Sequence, residues 1–103
     1  MPGWIDACAA DGIEEDDVIR IDHAGRTFAI YCTEDNPFYA SDGLCTHGQV
    51  HLADGLLMGT IIECPKHNGR FDVRSGAARG APVCVKVTTY PVKVEGGRIW
   101  LQI

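Results

Sequence analysis

The sequence predicts an all-β fold built from many short strands. Runs of β-branched and aromatic residues are brief, and twelve glycines and five prolines separate them. No segment keeps the apolar period of about 3.6 residues through three helical turns. Frequent short strands divided by turn residues are typical of antiparallel sheets, so we expect sheets and little helix.

The strands can be placed in order along the chain. The first hairpin joins residues 18–21 to 27–31 through a turn that contains Gly25. Another hairpin at the end of the chain turns at Gly96 and Gly97. The segment 5–10 is expected to form a helical turn at most. Short strands are expected at residues 38–40, 56–58, 60–63, 70–73, 85–90, 92–95 and 98–103.

Length and charge limit the possible functions. The 103 residues correspond to one domain, 1–103, with a net charge of −5, and no basic stripe suggests a nucleic-acid partner. No apolar stretch approaches the roughly 18 residues of a membrane span. The amino-terminal residues lack the basic and apolar segments of a signal peptide, so we expect a cytoplasmic protein without a membrane partner.

Five cysteines make an odd set, which argues against a secreted disulfide framework. Cys8, Cys32 and Cys84 lie in apolar or alternating surroundings with no histidine near them in sequence. Because a free cysteine behaves as a small apolar residue, these three are expected to pack in the core.

The other two cysteines belong to paired motifs. Cys45-Thr46-His47 and Cys64-Pro65-Lys66-His67 each place one cysteine and one histidine on a loop between strands. Zinc accepts two cysteines and two histidines, but zinc fingers usually pair like ligands on each arm. A cluster of two irons explains the mixture better, because each loop can then reach both metals.

These motifs resemble the Rieske signature. The aromatic stretch Phe38-Tyr39-Ala40 before the first loop, Asn68-Gly69-Arg70-Phe71-Asp72 after the second, and Gly80-Ala81-Pro82 agree with that family. The resemblance implies stacked antiparallel sheets, with a small cluster-binding subdomain formed by loops at approximately 43–51 and 63–71. It further implies one [2Fe–2S] cluster, with Cys45 and Cys64 on one iron and His47 and His67 on the other.

Weaker roles are expected of five residues around the cluster. The backbone near Gly48 and Gly69 would donate hydrogen bonds to sulfur, and Pro82 would belong to a loop that covers the cluster. Gln49 and Lys66 would lie on the rim that meets a partner. All five are expected to bind or surround the cofactor without ligating it.

Several departures from respiratory Rieske proteins indicate a low reduction potential. Val50 and Lys66 occupy the positions of an additional disulfide in those proteins, and Gly69 and Phe71 occupy the positions of hydroxyl-bearing residues. Hydrogen bonds to cluster sulfur raise the potential, so their loss favours the low end of a range of roughly −150 to +300 mV.

A low-potential Rieske protein of this length is similar to the ferredoxin component of aromatic-ring dioxygenase systems. Such a ferredoxin carries single electrons from an NAD(P)H-dependent flavin reductase to a terminal Rieske non-haem iron oxygenase, and it is not itself an enzyme. The chain is too short to add the catalytic domain of an oxygenase. It also lacks a second metal site, because only His23 and His51 remain beyond the four ligands. Three alternatives stay open: the small Rieske-type subunit of a nitrite reductase, a carrier for an oxygenase of non-aromatic substrates, and a structural zinc module.

A histidine, an acidic run and two tryptophans outside the motifs are expected to have structural rather than functional roles. His51 is expected to be a solvated loop residue rather than a docking residue. The acidic run at residues 14–17 is expected to be a solvated face, although it could also meet a basic patch on a partner. Trp4 and Trp100 are expected to pack in the core or at a sheet edge rather than to carry electrons.

Overall fold

A computed structural model describes residues 3–34, 38–46, 50–65, 69–79 and 85–103. These residues form ten strands and two single-turn 3₁₀ helices, Ala10–Gly12 and Leu52–Asp54, so the predicted all-β class is confirmed. No described helix is long or apolar enough to cross a membrane. The strands are β1 (Trp4–Ala9), β2 (Asp17–His23), β3 (Arg26–Cys32), β4 (Phe38–Asp42), β5 (Leu56–Met58), β6 (Ile61–Glu63), β7 (Arg70–Asp72), β8 (Thr89–Tyr90), β9 (Val92–Glu95) and β10 (Arg98–Gln102).

The strands form three antiparallel sheets. The largest has the order β2-β3-β4-β8, the second has the order β1-β10-β9, and the third has the order β5-β6-β7. In the described part of the chain every pairing is antiparallel. Three small sheets bury their apolar faces only by packing on one another, which explains the alternation seen along the strands.

Strand β3 lies between β2 and β4 and is buried on both faces. Because successive side chains of a strand point to opposite faces, Phe28 and Ile30 enter one core while Ala29 and Tyr31 enter another. The first core also takes Ile99 and Leu101 from β10. The other core holds the side chains of β6 and β7, and we call it the cysteine core because Cys45 and Cys64 belong to it.

Two expected elements differ from the structure. Residues 4–9 form the edge strand β1 instead of a helical turn, because the segment pairs with β10 through Ile5 and Leu101. A strand shorter than two helical turns shows too few repeats to separate the periods of strand and helix. Of the strand expected at 85–90, only β8 forms, since the backbone of Val87 bonds to the turn carbonyl of Gly76 at 2.9 Å.

The third sheet and the end of β4 carry the motif residues. Cys45 follows β4 by three residues, and Cys64 follows the last residue of β6 directly. Both segments leave strands that line the cysteine core. The fold therefore presents the two cysteine motifs from two different sheets that share one apolar core.

Candidate functional site

Two loops begin at the motif cysteines and close in the same way. The Cys45 amide donates to the carbonyl of Val50 at 2.9 Å, and the Cys64 amide donates to the carbonyl of Gly69 at 2.6 Å. In both loops the partner carbonyl lies five positions after the cysteine. The two motifs are therefore carried by loops of equal length, each anchored at its cysteine by one backbone hydrogen bond.

The two thiols lie in the same environment. Cys45 is 4% exposed and Cys64 is 1% exposed, and both contribute to the cysteine core beside Leu52, Ile62 and Phe71. Neither forms a disulfide. Cysteines that are buried against apolar side chains and form no disulfide are either inert core residues or metal ligands shielded from water. Their matching positions at the heads of paired loops favour ligands.

Of the remaining expected site residues, the structure describes only Gly69. His47, Gly48, Gln49, Lys66, His67 and Pro82 lie outside the described residues, and so does Cys84. Gly69 is described: it is buried, and its carbonyl closes the second loop. Among the described residues, which do not include either motif histidine, no three potential metal ligands lie close enough together to hold a metal ion.

The described residues fit a [2Fe–2S] cluster. Thiolates are the usual ligands of such clusters, and the two thiols reach the site from one core that excludes water. Val50, at the position of a disulfide-bonded cysteine in respiratory Rieske proteins, is partly buried and packs on the same core. The Cys45 and Cys64 amides are committed to loop closure, so neither is available to a cluster sulfur.

A side chain of the first motif holds a third segment against the site. The Thr46 hydroxyl donates to the carbonyl of Val85 at 2.7 Å. This bond fastens the residue that follows segment 80–84 to the first loop. Val85 is 59% exposed and Leu44, immediately before Cys45, is 39% exposed, so two apolar side chains reach solvent beside the loop.

His51 is not the solvated loop residue that the sequence suggested. It is 5% exposed, and its Nδ1 accepts a hydrogen bond from the Ala53 amide at 3.0 Å. That acceptor role places the proton on Nε2, which donates to the Thr27 hydroxyl at 2.8 Å. The Thr27 hydroxyl in turn donates to the Asp22 carboxylate at 2.6 Å.

This buried histidine supports the base of the first loop. Residues Leu44 and His51 form an isolated β-bridge, and the Leu52 amide donates to the carbonyl of Gly43 at 2.7 Å. Gly43 cannot carry a side chain here, because a Cβ would overlap the His51 ring. No local pattern reveals this role, because the decisive partner, Thr27, is distant in sequence.

The other features of the sequence lie away from the cysteine core. Cys8 and Cys32 are half-buried beside the other core, where burial raises the pKa of both thiols. Residues 14–17 are exposed, as expected of a solvated face. Trp4 and Trp100 are half-buried and lie outside both cores, and the Lys93 ammonium lies 4.6 Å from the centroid of the Trp4 ring.

An antiparallel β protein with two buried cysteines at the heads of matched loops has the construction of a small metalloprotein. Comparison with protein families makes this specific, because the family described as the Rieske [2Fe-2S] domain matches residues 3–91. The chain belongs to this family. The match confirms the resemblance in the two motifs and supports an iron–sulfur cluster as the cofactor.

Individual relatives narrow the class further. The chain is 48% identical to the ferredoxin component of the naphthalene 1,2-dioxygenase system of Pseudomonas aeruginosa, over 97% of this chain and 95% of the relative. Its fold matches the chain in a solved complex of oxygenase and ferredoxin of carbazole 1,9a-dioxygenase with a TM-score of 0.91 and 32% identity, over 99% and 94% of the two chains. A ferredoxin of Sphingomonas yanoikuyae B1 gives a TM-score of 0.90 at 34% identity, over 96% and 97%. The chain is accordingly an electron carrier rather than a catalyst.

Two of the alternatives drawn from the sequence, the nitrite reductase subunit and the zinc module, are not favoured. A solved structure described as the small subunit of an NADPH nitrite reductase matches with a TM-score of 0.81 but 16% identity, over 95% and 96% of the chains. Identity at that level shows a shared fold alone. A structural zinc module is disfavoured because the matching family is defined by a [2Fe–2S] cluster.

The burial of His51 predicts that the stability of the fold depends on pH. Burial, followed by Arg20, lowers the pKa of His51 below its usual value of 6.5, although Asp54 and Asp22 favour the cation. The unfolded chain then takes up this proton at a higher pH than the folded chain. Neutral His51 therefore makes its full contribution to the free energy of unfolding above about pH 6.5. Stability falls as the pH is lowered from there toward the pKa of His51 in the folded chain.

We expect His51→Asn to remove this component, because an asparagine oxygen still accepts from the Ala53 amide but does not titrate. The variant should lose about 1–3 kcal/mol at neutral pH, since the Thr27 hydroxyl loses the hydrogen bond from Nε2 and keeps only the one to Asp22. Urea unfolding of the wild type, His51→Asn and an exposed control, His23→Asn, between about pH 5 and pH 8 measures both effects. If His51→Asn loses stability on acidification as steeply as the wild type, His51 has been assigned the wrong role.

Proposed function

We propose that this chain is the ferredoxin component of a multicomponent aromatic-ring dioxygenase system of the cytoplasm. It takes electrons from an NAD(P)H-dependent flavin reductase and delivers them one at a time to a terminal Rieske non-haem iron oxygenase. The observation that carries the proposal is the 48% identity to such a component over nearly the whole of both chains. The solved complex of an oxygenase with a ferredoxin of the same fold supports the acceptor.

The proposed ligands are Cys45 and Cys64 on one iron and His47 and His67 on the other. Two observations support the set: the cysteines are the buried heads of matched loops, and each loop contains one histidine. A [2Fe–2S] cluster held there would accept and release one electron without making or breaking a bond in a substrate. Residues 1–103 would act as a single domain around it.

The chain's own residues keep the site rigid and dry. The closing hydrogen bonds of Cys45 and Cys64 fix the loop ends, and the cysteine core keeps water from the thiolates. A rigid site lowers the reorganisation that accompanies each change of charge. The exposed Leu44 and Val85 side chains beside the first loop offer a small apolar surface, suited to a brief encounter with a partner.

The same residues favour a low reduction potential. Phe71 is fully buried in the cysteine core and carries no hydroxyl, and Gly69 has no side chain that could carry one. Because neither side chain brings a hydroxyl to these positions, the extra negative charge of a reduced cluster is less stabilised there. We therefore expect a midpoint near the low end of the Rieske range, roughly −150 mV.

A pair of substitutions tests this origin of the potential. Phe71→Tyr places a hydroxyl in the cysteine core and should raise the midpoint, on the order of tens of millivolts. Phe28→Tyr is the matched control, because Phe28 is equally buried but belongs to the other core. Redox titration of the visible spectrum measures both variants. Equal shifts, or none from Phe71→Tyr, would show that this side chain does not influence the cluster.

The function itself is tested by reconstitution. The purified chain is mixed with NADH and with the reductase and terminal oxygenase of the Pseudomonas aeruginosa naphthalene 1,2-dioxygenase system, and naphthalene consumption is followed. The wild type and Cys8→Ser should support turnover, since Cys8 lies beside the other core, whereas Cys64→Ser should not. A wild-type chain that is reduced by the reductase but supports no turnover would refute the proposed function.

A further inference from the structure

Three exposed arginines lie together at the outer edge of the third sheet. Arg70 begins β7, Arg74 follows β7 in a turn, and Arg79 lies in a segment that pairs with the free side of β7. The Asp72 amide donates to the carbonyl of Ala77 at 2.9 Å, and the Arg79 amide donates to the carbonyl of Arg70 at 2.8 Å. We call Arg70, Arg74 and Arg79 the arginine edge.

Carboxylates hold these guanidinium groups from beneath. Arg74 donates to both oxygens of Asp72, from Nε at 3.1 Å and from a terminal nitrogen at 2.9 Å, and a terminal nitrogen of Arg79 lies 3.9 Å from the same carboxylate. The side chains of Arg74 and Arg79 are 55% and 57% exposed, against 7% for Asp72. The outer surface therefore presents positive charge, and the negative charge lies below it.

The arginine edge begins at the candidate site. Glu63 immediately precedes Cys64, and its carboxylate accepts from Arg70 Nε at 3.0 Å. Arg70 in turn immediately follows Gly69, whose carbonyl closes the second loop. The ion pair of Glu63 and Arg70 therefore spans the base of the loop that starts at Cys64, with Arg70 53% exposed and Glu63 22% exposed.

The opposite sign of charge lies elsewhere in the chain. Residues 1–54 contain eleven acidic and two basic side chains, whereas residues 55–103 contain three acidic and seven basic ones. The exposed acidic run at residues 14–17 ends at the start of β2. The far end of the β2–β3 hairpin adjoins the first loop, because the Gly43 amide donates to the carbonyl of Thr27. A seven-residue strand spans about 20 Å, so the acidic run and the first loop lie at opposite ends of this hairpin.

We propose that the arginine edge is the surface on which the terminal oxygenase docks, and that the oxygenase presents a carboxylate-rich surface there. This inference rests on the proposed function. Guanidinium groups already held by carboxylates lose little side-chain freedom on binding, and paired donors suit carboxylate partners. An acidic partner repels the end of the molecule that carries residues 14–17 and attracts the arginine edge. This charge distribution orients the molecule so that the candidate site faces the acceptor.

Two double variants of equal charge test the proposal. Arg70→Gln with Arg79→Gln removes two charges from the arginine edge and leaves Arg74 in place to hold Asp72. Arg20→Gln with Arg98→Gln removes two charges elsewhere, and these arginines also pair with carboxylates, at 3.0 Å with Asp22 and 2.9 Å with Asp6. Both variants therefore have a net charge two units more negative than the wild type. Unchanged visible spectra and midpoints establish that each retains its site.

The measurement is the rate at which the reduced chain transfers electrons to the terminal oxygenase of the Pseudomonas aeruginosa naphthalene 1,2-dioxygenase system. At low ionic strength the edge variant should be about tenfold slower than the wild type, and the rates should converge as salt screens the charges. The control variant should stay within about twofold of the wild type.

Two results would overturn the docking proposal while leaving the proposed function intact. One is an edge variant as fast as the wild type at low ionic strength. The other is an equal slowing of both variants, which would assign the effect to net charge alone. A wild-type chain that transfers no electron to the oxygenase would instead refute the proposed function, and the docking proposal with it.

Discussion

The site depends on one backbone interaction that occurs twice. Each motif cysteine donates its amide to the carbonyl five residues later, and this bond closes a loop whose interior carries the motif histidine. Without the closure, a loop of this length would lose the fixed direction that a buried ligand requires. With it, two sheets that are separate in hydrogen bonding place equivalent loops at the edge of one apolar core, which is how a chain of 103 residues could hold the proposed cluster.

The two cores have different roles: the cysteine core holds Cys45 and Cys64, and the other core joins the two larger sheets. Strand β3 contributes alternate side chains to both, so the part that holds Cys45 and Cys64 is continuous with the part that joins the larger sheets. His51 strengthens this connection, since it links the base of the first loop to Thr27 at the start of β3. Phe71 both fills the cysteine core and leaves its position in the site without a hydroxyl, so packing and the proposed low potential have the same physical origin.

Much of this could be predicted from the sequence, for identifiable reasons. The all-β class and most strands follow from short alternating runs, and the motif cysteines follow from a spacing that chemistry constrains strongly. Strand β1 was missed because its identity depends on pairing with β10 at the other end of the chain. The burial of His51 was missed for the same reason, because it requires Thr27 as a partner and a glycine at position 43 to admit the ring. Pairings between distant segments leave no local pattern to read.

The most direct test of the account is nitrogen hyperfine spectroscopy of the dithionite-reduced protein, with its histidines labelled with nitrogen-15. The proposed ligand set predicts strong couplings from imidazole nitrogens bonded to iron, and their partial loss in His67→Cys. In contrast, His51→Asn should leave the couplings in place, because His51 is held by Thr27 and Ala53. A reduced cluster without histidine couplings, or a colourless protein that contains zinc, would contradict the ligand set on which the proposed electron transfer rests.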